Sequence, residues 1–162
     1  MDISAEEYFM VPWFIPHPGL VKLVRILEDE IGVKRAHELL RQTVQELCKE
    51  YVKKEYGDQQ VETWEDYLNL KDSGEYSHLF SKAIKTEDYV VSDGERRFNV
   101  LYCLWAKTWK ELDADDIGYI WNCYADDVLA ELISPKLRLT RPPTIMQGGK
   151  QCTFCYTWEK EE

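Results

Sequence analysis

The sequence predicts an α+β fold, with a helical N-terminal half packed on a small antiparallel sheet made of two hairpins. Two observations carry this reading. From Val33 to Tyr56, apolar residues (Val33, Ala36, Leu40, Val44, Leu47, Tyr51) recur at intervals of three and four, the period of a helix with one buried face. The period then falls to two around Ser92-Asp93-Gly94-Glu95, where Asp-Gly between alternating runs signals a hairpin, and it falls to two again in the tail.

The elements follow in order. Residues 1–19 open with a short helical stretch capped by Ser4, then a loop from Pro12 to Gly19 in which Pro12, Pro16 and Pro18 forbid regular structure. This aromatic loop either packs over the core or lids a pocket. Leu20 to Ile31 reads as a helix stopped at Gly32, and Val33 to Tyr56 as a second stopped at Gly57. Trp64 to Ile84 holds one or two short helices. Thr86 to Val91 and Arg97 to Tyr102 form the first hairpin. Helices follow from about Cys103 to Leu112 and from Asp115 to Ile133, the latter stopped by Pro135. Lys136 to Arg141 and Thr144 to Gln147 read as extended, interrupted by Pro142-Pro143, which cannot donate to a ladder. Gly148-Gly149 turns the chain into a last strand, Gln151 to Trp158.

The 162 residues suit a single domain spanning 1–162, and 44% apolar with 13% aromatic residues supplies a real core. Thirty acidic against twenty basic residues give a net charge of −10, which argues against nucleic acid or an anionic membrane surface as partner. The longest uncharged run, Tyr8 to Val21, is broken by prolines and follows acidic residues, so it is not a signal peptide, and no run is long enough to span a bilayer. The expectation is a cytoplasmic protein. Five scattered cysteines, an odd number, fit free thiols better than a disulfide framework.

Three places could carry chemistry. Strand phase puts Cys152, Phe154, Tyr156 and Trp158 on one face, toward the aromatic core, and Cys155 on the other. A single Cys-x-x-Cys on opposite faces chelates poorly, so no metal is expected. On the helix from Asp115 the apolar stripe runs through Ile117, Ile120, Trp121, Tyr124 and Val128. Cys123 flanks it, with Asp126 and Asp127 three and four residues on. A strict helical wheel puts Asp127 nearer that stripe than Asp126. Arg141 is in phase with Leu137 and Leu139. It either turns inward and finds an anion or swings out at Pro142. Cys48 and His37 read as core and flank residues.

Taken in order, Tyr102-Cys103-x-x-Ala106-x-x-Trp109, Gly118, Cys123-Tyr-Ala-Asp126, Pro135-Lys-Leu-Arg-Leu-Thr140-Arg141, Thr144-Ile-Met-Gln-Gly148 and Cys152-Thr-Phe154 resemble the L-2-amino-thiazoline-4-carboxylic acid hydrolase-like family. The resemblance is clearest over 100–156. It implies Cys103, Cys123, Asp126 and Cys152 as catalytic positions and favours Asp126 over Asp127. Gly148-Gly149 stands where the family usually has Gly-Asp, a carboxylate lost.

The implied activity is ring-opening hydrolysis of a small carboxylated heterocycle, with attack at the ring carbon between S and N. Either a thiolate (Cys103 or Cys123) attacks, or a carboxylate activates water. A helix N-terminus near Cys103 would lower its pKa. Arg141 is the candidate to hold the substrate carboxylate. The alternative is a non-catalytic small-molecule-binding or sensory domain, because the tail also resembles 4-vinyl reductase-type domains. Either way the expected partner is a small carboxylate ligand, with no cofactor and with a homo-oligomer possible.

Overall fold

The computed structural model describes residues 17–57, 61–70 and 82–159. The predicted segment before residue 17, and any second short helix between 71 and 81, lie outside these.

Helix α1 (Pro18–Ile31) starts at His17, whose Nδ1 accepts the Gly19 N–H at 3.0 Å, with proline at the first helical position. Gly32, at φ 83° and ψ 148°, separates it from α2 (Val33–Tyr56). That conformation is open almost solely to glycine, which lets the chain reverse so that α1 packs along α2. The buried line of α2 is Ala36, Leu40, Val44 and Cys48. Val33, predicted to open the stripe, is exposed. Helix α3 (Trp64–Leu70) is held by reciprocal bonds between Thr63 and Asp66 and buries Trp64, Tyr67 and Leu70.

Strands β1 (Ile84–Ser92) and β2 (Glu95–Cys103) form the predicted hairpin, with Gly94 at φ 79° in its turn. Helix α4 (Leu104–Glu111) follows directly. The stretch expected as one helix from Asp115 is three pieces: α5 (Asp115–Gly118), a π-helical turn (Tyr119–Cys123) and α6 (Tyr124–Ile133). A Cβ on Gly118 would stand 2.4 Å from Trp109 Cγ, so only glycine allows α4 and α5 this close.

Strands β3 (Leu137–Thr140) and β4 (Cys152–Trp158) complete one four-stranded antiparallel sheet of order β1-β2-β4-β3. The two predicted hairpins are thus halves of one sheet. Helix α6 lies against β3 and also against α2, so α6 links the long helix to the sheet. Thr144 to Gln147, expected to be extended, instead forms a 3-10 turn (Ile145–Gln147) closed by a capping box. The Thr144 hydroxyl accepts the Gln147 N–H and the Gln147 side chain accepts the Thr144 N–H, which outweighs the local strand pattern. No described helix is long and apolar enough to cross a membrane.

Candidate functional site

Four elements deliver the predicted residues to one region. Cys103 ends β2 and caps α4, its sulfur accepting the Ala106 N–H at 3.5 Å. Cys123 closes the π-helical turn, Asp126 and Asp127 occupy the first turn of α6, and Cys152 begins β4. The Cys152 sulfur accepts the Ile145 N–H at 3.1 Å, so the capped 3-10 turn is tied to that thiol. All five cysteines are free, and Cys152 is more buried than Cys155, as strand phase predicts.

The charges of these groups are felt among themselves. Burial pushes the Cys123 thiol up to about 12, with the Asp126 carboxylate adding to the effect and Cys103 and Cys152 close enough to contribute. Burial also pushes Cys103 up. The Ala106 N–H at the start of α4 pulls the other way, as expected of a helix N-terminus, but burial outweighs it. Cys152 is raised in the same way, against the Ile145 N–H. The expectation that the helix end leaves Cys103 with a lowered pKa is therefore overturned. Desolvation raises Asp126 to about 6, against the opposing pull of Arg141. The region thus sets three thiols raised by burial beside a carboxyl raised to about 6, whose side chain is 38% exposed at the edge of the cluster.

Arg141 turns inward, with 4% of its side chain exposed. One Nη pairs with Asp126 at 2.9 Å. The other pairs with Asp127 at 2.8 Å and donates to the Cys123 carbonyl at 2.6 Å. Its guanidinium lies 5.1 Å from the Phe154 ring centre. Asp126 and Asp127 both reach Arg141, so the inward arginine meets its anions within the chain. The π-helical turn adds about one residue, or about 100° of phase, between Ile117 at the start of the stripe and the two acids, which share α6 with Tyr124 and Val128.

The aromatic face continues away from the thiols. Phe98 stacks on Phe154 at 4.9 Å with 6° between planes, and Tyr156 extends the row. At its far end stands Arg96, between Tyr67, Tyr89, Phe98 and Tyr156. Sequence reasoning passed over Arg96, although it shares strand phase with the buried Phe98 and Val100, the same signal that drew attention to Arg141.

A family model described as L-2-amino-thiazoline-4-carboxylic acid hydrolase matches residues 15–156. The chain belongs to this family. In this thiazoline carboxylate hydrolase family member, a Cβ on Gly149 would stand 2.3 Å from the Pro143 carbonyl oxygen. No side chain can occupy this turn without moving the backbone. No curated protein matches the chain. Among solved structures, the fold is similar to the phenol-responsive sensory domain of the transcription activator PoxR, solved with phenol. Identity is 12%, coverage is 89% of this chain and 75% of that one, and the TM-score is 0.52.

A second polar cluster lies elsewhere. Glu28, His37 and Asp116 place ligand atoms within 4.8 Å of one another, a spacing a metal ion could use. Arg25 already supplies the cation there, bonding Glu28 at 2.9 Å and Asp116 at 2.8 Å. The cluster therefore reads as an ion network that ties α1, α2 and α5 together.

Proposed function

We propose that this protein hydrolyses a small carboxylated heterocycle of the 2-amino-thiazoline-4-carboxylate type, with Asp126 as general base at a centre lined by Cys103, Cys123 and Cys152. The supporting observation is the contrast in protonation within one cluster. The thiols are all pushed up, which disfavours a resting thiolate, whereas Asp126 titrates at about 6, in the range suited to taking a proton near neutral pH. Of the two routes open to the chemistry, activated water is favoured over thiolate attack.

In this route Asp126 accepts a proton from water and the hydroxide oxygen bonds to the ring carbon between S and N. The tetrahedral adduct then collapses with cleavage of a C–N or C–S ring bond, and the leaving atom takes back the proton. Arg141 orients the base through its ion pair with Asp126. Membership of the hydrolase family supports the reaction class. Incubation with 2-amino-thiazoline-4-carboxylate, followed by mass spectrometry, should show a product heavier by one water. Asp126→Asn should remove it, and no product at any protein concentration rejects the reading.

The second reading is a sensory or carrier domain that binds a small ring compound without turning it over. The shared fold with a phenol-responsive sensory domain favours it, as do three thiols that are all protonated. Saturable binding of the thiazoline acid without product would select this reading.

A further inference from the structure

We propose that Arg96, not Arg141, holds the carboxylate of the ligand, whose planar ring lies against the Phe98 and Tyr156 rings. The inference rests on the ligand being a small ring acid, as in either reading above.

The two inward arginines stand on one aromatic row and differ in how their charge is met. Arg141, beside Phe154, is matched by two carboxylates and a carbonyl. A ligand acid would have to displace Asp126 or Asp127 to reach its paired nitrogens. Arg96 has no carboxylate partner among the described residues. It donates one hydrogen bond, from Nη1 to the Tyr67 hydroxyl at 3.0 Å; the Nε of each arginine is buried with no acceptor, so the difference between them lies in the Nη groups. Its guanidinium lies 5.1 Å from the Phe98 ring centre, 5.4 Å from Tyr156 and 5.6 Å from Tyr89.

Ring faces soften the cost of burying such a cation but do not neutralise it. The neighbouring phenols cannot do so either. Burial pushes Tyr67 up to about 12 and Tyr156 well above its ordinary value, so both stay uncharged. A cation with no carboxylate on either Nη among the described residues, framed by flat rings, is what a planar carboxylate would complete. The same aromatic row leads to Phe154 and, beside it, Cys152, so a ligand anchored at Arg96 would point its ring along the face toward Asp126.

Benzoate and its uncharged analogue benzamide are the test pair, with 2-amino-thiazoline-4-carboxylate beside them. By titration calorimetry the wild-type protein should bind benzoate at least about tenfold more tightly than benzamide, the scale of one charge-assisted hydrogen bond. Arg96→Gln should abolish that preference while leaving benzamide binding unchanged. A preference retained in Arg96→Gln overturns the proposal.

Should that variant not fold, the side-chain Nε–H resonances of the wild-type protein answer the same question. Benzoate should shift the signal of Arg96 and not that of Arg141, and the reverse pattern overturns the assignment. If none of the three compounds binds, the ring-acid reading and this proposal fall together. Turnover of the thiazoline acid that survives unchanged in Arg96→Gln removes only the proposal.

Discussion

Asp126 sits between opposing influences, burial that favours its neutral form and Arg141 that favours its charge. Burial wins, and the carboxyl rises from its ordinary 3.8 to about 6. Between those values the native state holds a proton that the unfolded chain has released. Stability therefore falls as pH rises through this window and levels above about 6. Asp126→Asn should remove that fall, read from urea midpoints at about pH 4.5 and about pH 7. An unchanged fall would place the proton elsewhere. Hydrolysis, if Asp126 is the base, should rise through about pH 6 and then hold a plateau. The thiols make the opposite case. With Cys48 and Cys123 pushed up to about 12 and Cys152 buried against the Ile145 N–H, native alkylation should modify Cys155 first. Mass mapping that finds Cys152 or Cys123 ahead of Cys155 would contradict this.

At the scale of elements, the joint between β3 and α6 rests on the fork of Arg141. A lysine carries the charge but cannot span two carboxylates and a carbonyl in one plane. Arg141→Lys should cost ~1–3 kcal/mol in urea unfolding, the range for hydrogen bonds to charged groups. A variant as stable as the wild type would mean that the pairing contributes nothing net. The joint between α1 and α2 rests on Gly32. Its φ of 83° lies where side chains rarely go, and no atom lies within 4 Å of an added Cβ, so any cost is purely conformational. Gly32→Ala should lose ~1–3 kcal/mol, with helix content unchanged by circular dichroism.

For the whole molecule, Arg25, Glu28, His37 and Asp116 act as a clasp that ties the consecutive helices α1 and α2 to α5, distant in sequence. Arg25 holds the Asp116 carboxyl below its ordinary value, against the effect of burial. That contribution is present above about pH 4 and is lost as pH falls through the lowered value. Arg25→Gln should lower the thermal midpoint, and by less at high salt, because the arginine is partly exposed and screened. Equal loss at low and high salt would point to packing rather than charge.

Much of this architecture was legible beforehand. Helical periodicity marked Val33–Tyr56 to the residue, and Asp93-Gly94 located the hairpin, because both signals lie in neighbouring residues. The Thr144-x-x-Gln147 capping box was equally local and was passed over in favour of the strand pattern. An ordered set of weak motifs identified the family and brought Cys103, Cys123, Asp126 and Cys152 into view. What sequence alone could not supply was everything that depends on long-range proximity. The π-helical turn arises where packing of Gly118 on Trp109 meets the helix, and it changes the phase that a wheel assumes constant. The partners of Arg141 and Arg96 are likewise set by which strands and helices meet. Two arginines with the same inward strand phase end up one neutralised and one not, because α6 brings carboxylates to the first while α3 brings a phenol to the second. The pattern along a strand fixes the direction of a side chain, but only tertiary packing decides which charge it meets.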